Sequence, residues 1–477
     1  MKHIPVVKLD ITSFSKEGHG IGCVAYPEGK QSIVEVPFTL PGDEVQASLF
    51  RRHKGVYQSR LEQIEKPAEN RVAPRCIHFG ECGGCRWQQM PYEDQLRQKE
   101  LNIQHHFAPY LHPQLTIHPI LPCLPPWLYR NKMEFSFSSD RAQNRYLGLF
   151  LYSGRGRVFN LTECHLMQPW VVEAAKTIRL WWEESNIEAY HPTKNTGSLR
   201  TVTLREGRRT GDRMIMLTVS GNPEFALHKE QLKRFVTLLR EAVEPKDPQE
   251  HLSIFLRIQQ IAKGRPTQFY EMLLYGPDHI REELFIQTEE HLSAERFKFR
   301  ISPTAFFQPN TEQAERLYSR ALQMGKIPPN SLVYDLYCGT GTLGICAAKQ
   351  AREVIGIELS PESVLDAREN IKLNNLENIT ILAGDVGHVL AQLQLEGKPR
   401  PDVVLIDPPR AGLEPKAIQH ILALKAPKLI YISCNPATQA ANMESLLKEG
   451  YQLQAIQPVD QFPQTLHIEN IAILTLK

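Results

Sequence analysis

The chain has 477 residues, more than one ordinary hydrophobic core organises, so two to four domains are expected. Hydrophobic residues make up 42% and charged residues 23%, values of soluble globular proteins, and no apolar run reaches the roughly 20 residues of a membrane span. A formal net charge of +2 does not by itself imply a nucleic-acid partner, and nine cysteines without secretory features argue for thiol chemistry or metal ligation rather than a disulfide framework.

Met1-Lys2-His3-Ile4-Pro5 leads directly into a strand-like pattern and lacks the apolar stretch of a signal peptide, so a cytoplasmic protein with no membrane partner is expected. Residues 1–66 read as short strands, among them Val6–Ile11, Ile33–Pro37 and Asp43–Ala47. Gly18, Gly20, Gly22, Gly29 and Gly42 interrupt them. Such punctuation suits a small OB-like β-barrel. The segments Glu17-Gly18-His19-Gly20-Ile21-Gly22 and Leu40-Pro41-Gly42-Asp43 resemble the TRAM domain, an OB-like RNA-binding module. Three basic clusters, Arg51-Arg52-His53-Lys54, Arg155-Gly156-Arg157, and Arg205 with Arg208, Arg209 and Arg213, are compatible with phosphate contacts. Each fits the solvated face of a strand or loop as well.

Residues 67–300 form a middle region of mixed α+β pattern. It has strands at 200–204 and 214–219 and helices near 170–185 and 229–243. It opens on Cys76, Cys82 and Cys85, with Gly83 and Gly84 between the last two. Three thiols this close suit a zinc or iron–sulfur site, with Cys123 or Cys164 as the fourth ligand.

Residues 301–477 alternate strand and helix. Apolar runs fall at 332–334, 354–357, 379–382, 403–406, 429–432 and 471–476, the pattern of a mostly parallel, doubly wound α/β sheet. Ligands of such sheets bind beyond the carboxyl ends of the strands. After the first run comes Asp335-Leu336-Tyr337-Cys338-Gly339-Thr340-Gly341-Thr342-Leu343-Gly344, whose glycines alone would equally suit a dinucleotide. Asp335 before the loop, Glu358 after the second run, Asp385 after the third and Asp407-Pro408-Pro409-Arg410 after the fourth follow the motif order of Rossmann-like methyltransferases that use S-adenosylmethionine.

Asp-Pro-Pro also occurs in enzymes that methylate exocyclic nitrogens. The next run ends differently, in Ser433-Cys434-Asn435-Pro436, and places a thiol at the carboxyl edge of the sheet. A lone cysteine is ordinarily a buried hydrophobe, but one at a strand end is a candidate nucleophile. Such a thiol suits methylation at C5 of uracil, because addition to C6 makes C5 nucleophilic. A base must then remove the C5 proton, and His467 and Glu469 are the candidates.

Together with Thr304–Asn310, Tyr129–Phe135 and Asp460-Gln461-Phe462-Pro463, these motifs resemble the RNA uracil-C5 methyltransferase family over nearly the whole chain. The resemblance implies a Rossmann-like methyltransferase domain preceded by an α+β central domain and an OB-like barrel. It implies Cys434 as nucleophile and Glu469 as base, with Gln308, Tyr337, Glu358 and Asp407 lining the pocket and Asp385 as a further cofactor contact. It also implies a [4Fe-4S] cluster on Cys76, Cys82, Cys85 and Cys164. The TRAM-like segment and the cysteines resemble the 23S rRNA branch, so 23S rRNA is the favoured substrate, acted on by a monomer. Transfer RNA is the other substrate of the family, and a catalytically idle RNA-binding or ribosome-assembly factor is the reading from a different class.

Overall fold

The computed structural model describes residues 5–25, 31–152, 154, 156–261, 264–289 and 293–477. Met1–Ile4, Gly29 and Arg155 of the sequence reading therefore lie outside the described residues. The chain divides into two compact units. The first takes Met1–Lys99, Leu149–Arg157 and Phe462–Leu466, and the second the remainder. No described helix is long and apolar enough to cross a membrane.

In the first unit, six strands form one sheet. The strand Glu44–His53 alternates buried and part-buried residues over its first half, as a strand with one face on a core does. Leu9, Val34, Val36, Val45 and Ala47 make that core. A smaller cluster gathers Leu40, Ala68, Trp87 and Met90. Asp43 organises the connection: its carboxylate accepts from the backbone of Leu40 at 2.7 Å and Ala68 at 2.9 Å, and from Arg71 at 2.6 Å. Three donors meet the charge that burial would otherwise leave unsatisfied. The Trp87 indole donates to the Gly18 carbonyl at 3.1 Å, and a Cβ at Gly18 would stand 3.1 Å from that ring.

The second unit holds a six-stranded sheet, a two-stranded ribbon and an eight-stranded sheet. In the eight-stranded sheet the principal strands are β1 (Leu332–Leu336), β2 (Glu353–Glu358), β3 (Ile379–Ala383), β4 (Val403–Ile406), β5 (Lys428–Ser433), β6 (Tyr451–Val459) and β7 (Glu469–Leu476). They lie in the order 3-2-1-4-5-7-6, and Thr116–Ile117 adds a short strand beside β6. Strands β1 to β5 are parallel, whereas β7 runs antiparallel to β5 and β6. The sheet is thus mixed at one side. Every residue of β1 and β4 is buried, which explains their unbroken apolar runs.

Helices return the chain between the strands, and polar side chains start several of them. Ser360 accepts from Ser363 N ahead of Pro361–Leu373, and Asn310 accepts from Gln313 N ahead of Thr311–Gly325. Strand order reverses between β1 and β4, so the crevice of the fold opens at their carboxyl ends.

Candidate active site

The loop leaving β1 is shaped by backbone that ordinary residues avoid. Tyr337, Gly339 and Gly341 have φ of 63°, 56° and 80°. Glycine takes these values without strain, while Tyr337 is held there against its preference. Gly344 lets the following helix approach the strand, since a Cβ there would stand 2.6 Å from Asp335 Oδ2. Asp335 instead accepts the Gly344 N–H at 2.8 Å, and burial pushes its carboxyl up to about 8.

Glu358, at the end of β2, accepts from Gly339 N at 2.9 Å and from Ser360 N at 2.7 Å. One carboxylate therefore ties the glycine loop to the next strand. In front of Gly339 a Cβ would meet nothing within 4 Å, so the cradle faces open space. These features fit a nucleoside-bearing cofactor: an open glycine turn, with a fixed carboxylate where ribose hydroxyls bind in such sheets. Asp385 is exposed, and its carboxylate caps the helix Val386–Leu395 by accepting from His388 N at 3.0 Å.

Three chemical groups meet at neighbouring strand ends. Asp407 follows β4, Cys434 follows β5 and Glu469 begins β7. In the antiparallel ladder of β5 and β7, Ser433 pairs with Asn470. Cys434 and Glu469 each adjoin a member of that last pair. Burial raises the Glu469 carboxyl well above its ordinary range, and the charge of Asp407 raises it further. Its Oε2 has no hydrogen-bond partner. Burial pushes Asp407 up to about 7.

The Cys434 thiol is pushed up to about 11 by burial, then by Glu469 and Asp407, while Arg410 acts in the opposite direction. Arg410 Nη2 lies 3.5 Å from His467 Nδ1, and Asn435 Nδ2 donates to the Arg410 carbonyl at 3.1 Å. Burial also pushes the Tyr337 hydroxyl up to about 12, with the charges of Asp385 and Glu414 adding to it.

Gln308 is buried beside this group. Asn131 Nδ2 donates to its carbonyl at 2.9 Å, and Gln461 Nε2 lies 3.4 Å from its Oε1. Its side chain is hydrogen-bonded to Tyr318, whose hydroxyl is raised well above its ordinary range by burial, with the Asp407 and Glu469 charges adding to it. Tyr318 sits on the helix Thr311–Gly325, and no motif singled it out.

Of the predicted site residues, Cys434, Glu469, Asp407 and Gln308 thus share one electrostatic neighbourhood, Glu358 belongs to the glycine loop, and Asp385 serves as an exposed cap. The arrangement provides a nucleophilic atom, two buried carboxyls with raised proton affinity and a cation beside the thiol.

The predicted metal ligands behave differently. Cys76, Cys82 and Cys85 belong to the first unit and Cys164 to the second. Cys76 N donates to Gln88 Oε1 at 3.0 Å, and Gly84 N donates to Cys82 Sγ at 3.3 Å. Burial raises the Cys164 thiol, and hydrogen bonds from the backbone of Leu166 and Met167 oppose that rise. Among the described residues no group of three or more His, Cys, Asp or Glu is arranged to hold a metal ion.

A doubly wound sheet with its glycine loop at the strand reversal and an antiparallel β7 is a methyltransferase fold. The solved tRNA (uracil-54, C5)-methyltransferase of Pyrococcus abyssi, in complex with S-adenosyl-L-homocysteine, shares it with a TM-score of 0.72 at 23% identity, over 98% of this chain and 99% of that one. The family described as tRNA (Uracil-5-)-methyltransferase matches residues 246–477. A protein of Protochlamydia amoebophila named as an uncharacterized RNA methyltransferase is 60% identical over 443 residues, 93% of this chain and 100% of that protein. One of Staphylococcus aureus, named likewise, is 30% identical over 474 residues, 98% of this chain and 97% of that protein. The chain belongs to the RNA uracil-5-methyltransferase family.

Proposed function

We propose that this protein methylates C5 of a uridine in 23S rRNA through a covalent adduct of Cys434 with C6 of the base. The observation that carries the reading is that Cys434 and Glu469 each adjoin a member of the Ser433–Asn470 pair, with the charges of Glu469 and Asp407 acting on the thiol. S-adenosylmethionine, when bound at the glycine loop, supplies the electrophilic methyl group. Gln308, Tyr337, Glu358 and Asp407 are the residues that would hold it and the target base, with Asp385 at the margin.

Cys434 gives its proton to solvent and its sulfur adds to C6, which breaks the C5–C6 π bond and moves the electron pair toward C5 and the C4 carbonyl. Arg410 favours the thiolate, against burial and the charges of Glu469 and Asp407. C5 would take the methyl, the electron pair of the broken S–CH3 bond staying on the donor's sulfur. Glu469 then removes the C5 proton, and the electron pair re-forms the double bond as the sulfur leaves. The uridine reaches this buried neighbourhood by leaving its stack.

The first-unit sheet, with its Gly18–Gly22 segment, is proposed as an OB-like RNA-binding module, giving a three-part chain of 1–66, 67–300 and 301–477. Two features of the sequence, that segment and the cysteines 76, 82 and 85, favour 23S rRNA over transfer RNA. A [4Fe-4S] cluster on Cys76, Cys82, Cys85 and Cys164 rests on family resemblance, and no step above uses it. Iron and acid-labile sulfide in anaerobically purified protein, lost in Cys85→Ser, would support it, and their absence would exclude it.

The function is tested by incubating the protein with labelled S-adenosylmethionine and either 23S rRNA or transfer RNA, then mapping 5-methyluridine. Label confined to 23S rRNA supports the reading. Label confined to transfer RNA overturns the choice of substrate, and no label in either RNA overturns the activity.

A further inference from the structure

Asn131 belongs to the motif Tyr129–Phe135 and immediately precedes the strand Lys132–Ser139 of the six-stranded sheet. In the antiparallel ladder with Leu199–Glu206, Lys132 pairs with Arg205, and one residue further the Asn131 carbonyl accepts from Glu206 N at 2.8 Å. Sheet backbone thus fixes where Asn131 stands. At 1% exposure its amide has to find partners inside the protein. It finds them on one short segment. The backbone N–H donates to the Pro309 carbonyl at 2.8 Å, and Nδ2 donates to the Gln308 carbonyl and to Thr311 Oγ1, both at 2.9 Å.

Further bonds hold the same segment toward its two ends. Arg205 Nη1 donates to the Ala305 carbonyl at 2.8 Å, and at 1% exposure this guanidinium serves the interior and is no phosphate contact. Thr311 Oγ1 donates to Glu282 Oε2 at 2.9 Å, and Asn310 Nδ2 donates to the Gln461 carbonyl at 3.1 Å. The backbone of Gln308 is therefore gripped from the middle region, within one compact unit. Its side chain is hydrogen-bonded elsewhere, to Tyr318, whose hydroxyl feels the charges of Asp407 and Glu469. Gln308 thus links a rigid sheet end on one side to the groups of the candidate site on the other.

We infer that Asn131 is a positioning residue for methyl transfer: through the Gln308 carbonyl it sets where the Gln308 side chain meets the target base. The inference rests on the proposed place of Gln308 in the pocket, and it makes the middle region part of the geometry of the site. Of the bonds to the segment, the one from Asn131 Nδ2 to the Gln308 carbonyl acts on the residue from which that side chain springs. Its loss leaves a buried carbonyl short of its donor and frees the peptide to turn. Reactive geometry is sensitive to such a shift, since a displacement of about 1 Å can cost about a hundredfold in rate.

The test is a double-variant cycle in the full chain, using whichever RNA the wild type methylates. Methyl transfer at saturating RNA and cofactor is measured for wild type, Asn131→Ala, Gln308→Ala and the pair together. Asn131→Ala is expected to lower kcat about tenfold, with KM for RNA and affinity for S-adenosylmethionine within about twofold of wild type. In the Gln308→Ala background the same substitution is expected to change kcat by less than about twofold, because the side chain it acts through is gone. Asn131→Ser, whose short hydroxyl does not reach the Gln308 carbonyl, is read in the same way and keeps the test open should the alanine variant unfold. Thr203→Val controls for lost stability: it removes a buried hydroxyl that donates to Glu134 Oε2 at 3.1 Å in the same sheet, and it is expected to lower the melting temperature and keep kcat. An unchanged kcat in both Asn131 variants overturns the proposal. So does an equal loss with and without Gln308, or a tenfold loss in Thr203→Val, either of which would reduce Asn131 to a stabilising contact. A wild type inactive on 23S rRNA and on transfer RNA is instead the failure of the proposed function.

Discussion

Glu469 raises the Cys434 thiol, and the two residues adjoin Asn470 and Ser433, the last pair of the ladder between β7 and β5. The two residues come from opposite ends of a long excursion of the chain, yet an antiparallel register fixes their relation more firmly than any loop would. β7 is a fully paired inner strand, with β5 on one side and β6 on the other. The candidate base is thereby mounted on rigid backbone beside the candidate nucleophile.

The nucleophile gives the first prediction. Cys434→Ala is expected to abolish methyl transfer to RNA while leaving S-adenosylmethionine affinity near that of the wild type, because the thiol acts on the base and not on the donor. Calorimetric binding of the cofactor beside a labelled-methyl transfer assay checks both halves. Transfer persisting near the wild-type rate would remove the covalent route.

The second prediction follows from the raised carboxyl at Asp407. Its ordinary value is 3.8, and burial pushes it up to about 7 in the folded chain. The folded state therefore holds a proton that the unfolded state gives up. The associated stability is present in full below about pH 4 and is lost as pH rises through about 7. Asp407→Asn removes the ionisation. Relative to wild type it is expected to gain thermal stability progressively between those two values and to hold the gain above them. Melting temperatures across a pH series measure this, and a difference that shrinks as pH rises would contradict it.

Much of this site was legible before the fold was known, because in a parallel sheet the residues just after each apolar run share one edge. Asp335, Glu358, Asp407 and Cys434 were found that way. What depends on tertiary pairing was not legible. Nothing local to 469–476 shows that this strand inserts antiparallel between β5 and β6, nor that Thr116–Ile117 of the middle region joins the same sheet. Tyr318 looked like any core aromatic on an amphipathic helix, and only the packed structure brings it to Gln308. Asp385 fitted the strand-end pattern, but its carboxylate is engaged as a helix cap. Leu149–Arg157 and Phe462–Leu466 pack with the first unit although long stretches of sequence separate them from it.

That last segment supports a third prediction. Within the first unit, Gln95 accepts from Gln464 N at 2.9 Å, and its amide lies 3.0 Å from the Gln464 side-chain oxygen and from the carbonyls of Trp87 and Met90. All of these are buried. Gln95→Ala leaves the Gln464 N–H and the Met90 carbonyl short of a partner, at a cost of about 1–3 kcal/mol, while Trp87 O keeps its bond from Met90 N. Chemical denaturation should show the loss, and faster amide exchange is expected at Gln464. Unchanged exchange there would mean that the hydrogen bonds do not hold the segment.

The last prediction concerns the base and the order of steps. Glu469 is 2% exposed, its carboxyl is raised by burial and by Asp407, and its Oε2 is unpartnered. In its ionised form a buried carboxylate without a partner is a strong proton acceptor. If it takes the C5 proton, it acts only after the sulfur has added and the methyl has moved. Glu469→Gln keeps the volume and can still hydrogen-bond, but it cannot accept that proton. Addition and methyl transfer then proceed while elimination stalls, so the variant is expected to accumulate a protein–RNA adduct that survives denaturation and carries the transferred methyl. His467, whose Nδ1 lies 3.5 Å from Arg410, is the rival. Burial and the Asp407 charge make the Glu469 carboxylate hold a proton strongly once it has taken one, so the assignment rests with Glu469. Each variant is incubated with RNA and methyl-labelled cofactor, and the products are separated on a denaturing gel. A labelled, shifted band in Glu469→Gln and none in His467→Ala is the expected result, and the reverse pattern transfers the role to His467.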